Sequence, residues 1–155
     1  MKDLKRALLL LTSISFYLIV PAQENTLPVR EPDYNKPFLF EQLPQRILCS
    51  TDELQSLLQA QQGQAVNTDL ALHFNFRGTV VSVADKYAGD LVSVTIRSSN
   101  YAGAVLNLAR VRLSDGSIKF TGRIISLQHG DAFDLVQENN QYYFIKKGFY
   151  DLINE

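Results

Sequence analysis

A single cysteine, Cys49, in 155 residues leaves no partner for a disulfide within the chain, so the fold rests on packing rather than on cross-links. Tryptophan is absent, which removes the largest ring for stacking on sugars, although seven tyrosines keep that chemistry open. Only two histidines occur, His73 and His129, and neither sits in a C-x-x-C or H-E-x-x-H type of spacing. There is no P-loop, no G-x-G-x-x-G, no G-x-S-x-G nucleophile elbow and no N-glycosylation sequon. Nucleotide enzymology has no support in these residues, and no cofactor is expected.

Long hydrophobic runs are also missing, with one exception at the start. Lys2, Lys5 and Arg6 precede a weakly polar to apolar run over residues 7–20 that stops at Pro21. Fourteen residues are short for a span of hydrocarbon, which takes about 20. A positive n-region, a short apolar stretch and the small residues Val20 and Ala22 at −3 and −1 are the grammar of a cleavable signal peptide over residues 1–22. An uncleaved anchor is the alternative. No cysteine directly follows the run and Cys49 is far too distant, so bacterial lipidation is not expected.

Residues 1–22 hold three of the 15 basic and one of the 16 acidic residues, so the remainder carries 12 against 15, near −3. A mildly acidic chain gives no general electrostatic reason to bind nucleic acid, and none is expected as a partner. About 133 residues suit one domain with a true core, and the whole chain's 46% hydrophobic content argues against disorder.

Four of the five prolines, Pro28, Pro32, Pro37 and Pro44, fall within residues 23–45, which read as an extended leader before a single domain at 46–155. The cluster Pro37-Phe38-Leu39-Phe40 gives that leader an apolar hold on the domain if it docks. Ser50 at N-cap and Glu53 at N3 match a capping box, with Cys49 and Leu54 as a hydrophobic staple. The helix is expected over residues 50–62, with Leu54, Leu57 and Leu58 facing the core and Gly63 at C′.

After Asn67 apolar residues recur with period two, and polar turn clusters interrupt them. Leu70, Leu72, Phe74 and Phe76 alternate with Ala71, His73, Asn75 and Arg77, and a bulge at Gly78 would reset the phase to Val81 and Val83. Turns are expected over residues 85–90, 98–103, 114–117 and 138–141, and the end of the chain as a short helical turn or a docked tail. The fold class is therefore mainly β (α+β). Six to seven mostly antiparallel strands form a curled sheet or small barrel with one N-terminal helix packed on it, an open sandwich being the second choice.

Candidate chemistry is sparse. Cys49 beside a helix N-terminus has the setting of an activated thiol, but its place in the staple gives it an equal structural role, and no protease signature surrounds it. His129-Gly130-Asp131 with Asp134 reads as a polar turn rather than a metal site, and Asp85 and Asp90 lack the spacing of a calcium loop. Aromatics crowd Tyr142, Tyr143, Phe144, Phe149 and Tyr150; on a strand Tyr143 and Phe144 must point to opposite faces.

The remaining feature is basic. A two-residue type I′ loop at Asp115-Gly116 would set Arg112 opposite Lys119, Arg110 opposite Thr121 and Leu108 opposite Arg123. In that register Arg110, Arg112, Lys119 and Arg123 share one face, which is either an ordinary solvated surface or a patch for an anionic partner. These residues point to an exported, extracytoplasmic, non-enzymatic binding or interaction module with no transmembrane span in its mature form. A barrel holding an apolar or amphipathic small molecule and a Cys/His-dependent hydrolase are the alternatives. The mature chain is expected to begin at Gln23, which intact mass of the exported form measures; a full-length chain in the membrane fraction would establish the anchor instead.

Overall fold

The computed structural model describes residues 33–153, and the expected signal peptide lies outside them. Within that range eight strands and two short helices follow in order: β1 (Arg46–Cys49), α1 (Thr51–Leu57), β2 (Ala65–Ala71), β3 (Phe74–Lys86), β4 (Leu91–Ser98), β5 (Val105–Arg112), β6 (Ile118–Ile125), β7 (Asp131–Glu138), β8 (Gln141–Gly148) and α2 (Phe149–Ile153). Every pairing is antiparallel, in the order β1-β8-β7-β6-β5-β4-β3-β2. The two outer strands of that order come together where Ser50 donates its N–H to the Leu70 carbonyl at 3.4 Å, so the sheet is a nearly closed barrel.

The interior is filled with aromatic rings. Phe74, Phe76, Phe133 and Phe144 are fully buried; Phe74, Phe133 and Phe144 pack ring to ring at 5.4–6.2 Å, and Phe76 stacks on Tyr101 at 6.2 Å. Phe40 joins them from outside the barrel strands, 5.1 Å from Phe133 and 5.4 Å from Tyr101. Rings of this size bury large areas, and their offset and edge contacts add about 0.5–1.5 kcal/mol per pair beyond area.

Phe40 shows that the leader docks. The buried Asp131 carboxylate accepts the Leu39 N–H at 2.7 Å and the Phe40 N–H at 2.8 Å. Gly130 donates to the Pro37 carbonyl, and Lys36 donates to the Leu127 carbonyl while its ammonium sits 4.7 Å from the Phe149 ring centre. Asp33 donates its N–H to the Tyr150 hydroxyl. The leader and α2 therefore sit at one end of the barrel, with the β2–β3, β4–β5 and β6–β7 connections. Alternating strand direction puts α1 and the β3–β4, β5–β6 and β7–β8 hairpins at the other end.

Several local expectations are corrected. The helix ends at Leu57, not Gln62, because Gly63 and Gln64 turn away to exchange hydrogen bonds with the Val80 backbone. Gly63 keeps its positive φ of 84°, in a turn instead of a C′ position. The capping box is half formed: the Ser50 hydroxyl accepts from Glu53 N–H, but the Glu53 carboxylate takes the Thr68 hydroxyl, since Ser50 N–H is spent on closing the barrel. Leu72 is not a core position. Leu72-His73 forms the turn between β2 and β3, His73 at φ 65°, and Leu72 is 85% exposed.

The bulge lies between Val80 and Ser82 rather than at Gly78. Gly78 serves close approach instead, because a Cβ there would stand 2.3 Å from the Arg97 carbonyl oxygen. The eighth strand, β1, is four residues long, too short to show a period.

Replacing Asp131 by Asn leaves one of the two leader N–H groups facing an amide donor. The expected loss is about 2 kcal/mol in urea unfolding, the scale of a hydrogen bond to a charged group, with faster exchange of the Phe40 amide. Unchanged stability would show that the leader is held by Phe40 packing alone.

Candidate functional site

The hairpin between β5 and β6 determines where the basic residues point. Gly116, at φ 83°, donates to the Leu113 carbonyl, and Leu113 donates to the Ser117 carbonyl, so three residues form the loop rather than two. Asp115 locks it by accepting the Ser117 hydroxyl and N–H, which hold its carboxyl below the ordinary range. The register becomes Arg112↔Ile118, Arg110↔Phe120, Leu108↔Gly122 and Asn107↔Arg123. One residue of slip reverses every face.

The four basic residues accordingly do not share a side. Arg110 and Arg112 lie on the face of β5 that carries Leu106 and Leu108, beyond the core. Arg110 donates to the Gly89 carbonyl and Arg112 pairs with Asp90 at 3.2 Å, so both brace the β3–β4 turn. Lys119 and Arg123 point outward from β6. The true two-residue turn with positive φ at both positions is Asn139-Asn140, between Glu138 and Gln141.

The outward face of β6 borders a break in the sheet. β6 and β7 form only two rungs, Arg123↔Asp134 and Ile124↔Phe133. Extended further, that register would set Gly122, Thr121, Phe120 and Lys119 against Leu135, Val136, Gln137 and Glu138, and none of these pairs forms. The Tyr142 ring from β8 reaches the break from inside: its hydroxyl accepts the Phe120 N–H at 3.0 Å, and its ring meets Phe120 edge-on at 5.4 Å.

Above the break lies a groove of about 790 Å³. Its lining combines hydroxyls and amides from Ser93, Thr95, Asn107 and Thr121 with the charged Lys119, Arg123 and Asp134. Asp134 is bound by Arg123 at 3.1 Å and by Lys147 at 3.5 Å, and Arg123 also donates to the Leu152 carbonyl. Two cations thus hold the Asp134 carboxylate, and Lys119, further along β6, makes no ion pair among the described residues. No aromatic side chain lines the groove, so it has no platform for stacking a base or a sugar. A smaller hollow of about 360 Å³, lined by Phe38, Glu41, Asp131 and Lys146, follows the docked leader, whose backbone already holds the Asp131 carboxylate and the Lys146 ammonium.

Other candidate residues are committed elsewhere. The Ser126 hydroxyl is 2.7 Å from His129 Nδ1, but Ser126 is buried in a turn and its oxygen also accepts the Gln128 N–H. No group of three or more His, Cys, Asp or Glu residues suited to a metal ion occurs among the described residues. Tyr143 points outward and carries the Arg46 guanidinium 3.7 Å from its ring centre, while Phe144 is in the core.

Comparison with protein-family models, curated proteins and solved structures finds no match for this chain.

Cys49 is buried, its thiol donates toward the Ile47 carbonyl, and burial pushes its pKa up to about 12, only slightly offset by the Phe144 backbone. The helix N-terminus does not activate it. The folded thiol stays protonated where the unfolded one, near 9.0, ionises, so this contribution to stability is intact below pH 9 and is lost as pH climbs toward 12. Alkylation by iodoacetamide at pH 7 is expected to track unfolding in urea, and Cys49→Ala to cost about 1 kcal/mol. Fast alkylation of the folded protein would contradict this.

Proposed function

We propose that this protein is an exported, non-enzymatic binding module whose ligand site is the groove above the β6–β7 break, and that its partner is anionic. The observation that carries the reading is the groove itself, a concavity of mixed apolar and polar lining with Lys119 and Arg123 on its wall. Arg123 and Asp134 pair on the groove wall, and Lys119 adds a cation that makes no ion pair among the described residues. A partner carboxylate would meet Arg123, held in place by Asp134, and the exposed Lys119, which favours electrostatic recognition. The export part of the proposal rests on the n-region and apolar run of residues 1–22. No helix among the described residues is long and apolar enough to cross a membrane.

The barrel architecture is also compatible with a small molecule held inside. Its interior, however, is occupied by Phe40, Phe74, Phe76, Phe133 and Phe144, which favours a ligand on the outside. The burial of Cys49, which pushes its thiol pKa up, counts against a hydrolase that uses this cysteine.

Poly-L-glutamate is the probe. Lys119→Glu is expected to weaken its binding about tenfold, equivalent to about 1.4 kcal/mol, and to lower the salt dependence, as read by calorimetry at several ionic strengths. The double variant Arg110→Ser, Arg112→Ser is expected to bind as the parent does. Weakening by the double variant and not by Lys119→Glu would move the site to the other face of β5 and overturn the groove reading.

A further inference from the structure

Across the outer face of β4, β5 and β6, paired residues form rows that run from strand to strand. Thr95, Asn107, Arg123 and Asp134 make one row, joined rung to rung from β4 to β7. Ser93, Ala109 and Thr121 make the next, and Leu91, Val111 and Lys119 the one after it. The middle row carries the smallest side chains, so the groove is a trough that crosses the strands and opens at the β6–β7 break. Residues two apart on a strand sit about 7 Å from one another, and neighbouring strands about 4.8 Å. Thr121 therefore lies about 7 Å along β6 from Lys119 on one bank and from Arg123 on the other, and about 10 Å across the floor from Ser93.

Polar groups ring the middle of this trough. The Thr95 hydroxyl donates to the Asn107 side-chain oxygen at 3.0 Å, which leaves the Asn107 NH2 donors for a ligand. The hydroxyls of Ser93 and Thr121 make no hydrogen bond among the described residues. Lys119 makes no ion pair among them, while Arg123 is held on Asp134 and on the Leu152 carbonyl. At the centre of these groups the floor is the Ala109 methyl, which is flat and apolar.

That pattern separates the classes of anionic partner. Along the floor β4 and β5 are paired on both sides, so side chains alone meet a ligand there. An extended peptide would lay its own N–H and C=O groups on the Ala109 methyl, where a covered polar group without a partner is costly. A pyranose ring has the opposite layout, with C–H groups on its faces and hydroxyls around its rim. Set on Ala109, its rim meets Ser93, Asn107 and Thr121, and a carboxylate carried on that rim falls beside Thr121, between Lys119 and Arg123. With no aromatic side chain in the lining, the ring is held by its rim and its charge and not by stacking.

Resting on the groove reading above, we infer that the partner is a carboxylated polysaccharide, one uronate ring of which sits over Ala109 with its carboxylate at Lys119 and Thr121. Ala109 sets the depth of the trough. The hydroxyls and the Asn107 amide select a sugar, and the charge on β6 selects an acidic one.

The test uses the galacturonate hexamer, its methyl ester, which keeps the hydroxyls and loses the charge, and hexa-L-glutamate, which keeps the charge and loses the rings. Binding to the chain from Gln23 onward, leader included, is read by calorimetry and by amide shifts in NMR. The galacturonate hexamer is expected to bind about tenfold more tightly, or better, than either of the other two, with shifts at Ser93, Asn107, Ala109 and Thr121. Ala109→Leu, a larger side chain on the solvent face, is expected to weaken that hexamer about tenfold and to leave hexa-glutamate within about twofold, whereas Lys119→Glu weakens both. Hexa-glutamate that binds as tightly as the galacturonate hexamer, or that loses as much to Ala109→Leu, would overturn the sugar and leave the anionic groove standing. An ester that binds as well as the acid would overturn the uronate. No binding of the galacturonate hexamer would also overturn the proposal, and the dependence of poly-L-glutamate on Lys119 then reports separately on the groove.

Discussion

The barrel depends on a carboxylate that is not in the barrel's own hydrogen-bond ladder. Asp131 opens β7 at the buried end of the strand and spends both oxygens on the amides of Leu39 and Phe40. Two charge-assisted hydrogen bonds offset the cost of burying a carboxylate, and they position the Phe40 ring against Phe133 and Tyr101. The interior is thus completed by a residue from outside the sheet. Without it the end of the barrel would expose the faces of Phe74 and Phe133 to water.

The class of fold was legible because hydrophobic alternation from Leu70 onward is strong and the turns between strands are rich in Gly, Asn, Asp and Ser. What was not legible was register. Asp-Gly permits a two-residue loop and equally a three-residue loop with glycine in the left-handed region, and Ser117 tips the choice by bonding to Asp115. That contact is between side chain and turn, invisible in a hydrophobic pattern, and its consequence was to divide Arg110 and Arg112 from Lys119 and Arg123. Leu72 misled for a related reason: it keeps the alternation in phase while the chain reverses through His73, with no glycine or asparagine to announce a turn. The helix was recognisable from Ser50 and Leu54, yet its length was determined by Val80, far along the chain.

The groove was half visible. Lys119 and Arg123 stood out as charge, but Asp134, Thr121, Asn107 and Thr95 had no sequence signal, because a site on the outside of a barrel is assembled by neighbouring strands rather than by a motif. The break that opens it is a tertiary event. Tyr142 faces inward from β8, beneath β7, and its phenol meets the β6 backbone where a rung would otherwise be. A hydroxyl satisfies one donor that β7 leaves unmet, so β6 tolerates the separation of the two strands without an orphaned Phe120 amide.

The bond from Asp33 N–H to the Tyr150 hydroxyl has a consequence for the connectivity of the domain. It brings the start of the described chain onto the last helix, so both ends leave from the same rim of the barrel and a covalent bridge between them would close only a short loop, at little entropic cost. The domain is in this sense circular. Its opening lies between the docked leader and the last helix, and an exposed turn such as Asn139-Asn140 is another position at which the same sheet can be cut. Moved there, the opening would turn the docked leader from a terminal strap into an internal connection, and Phe40 would enter the core from a segment anchored on both sides.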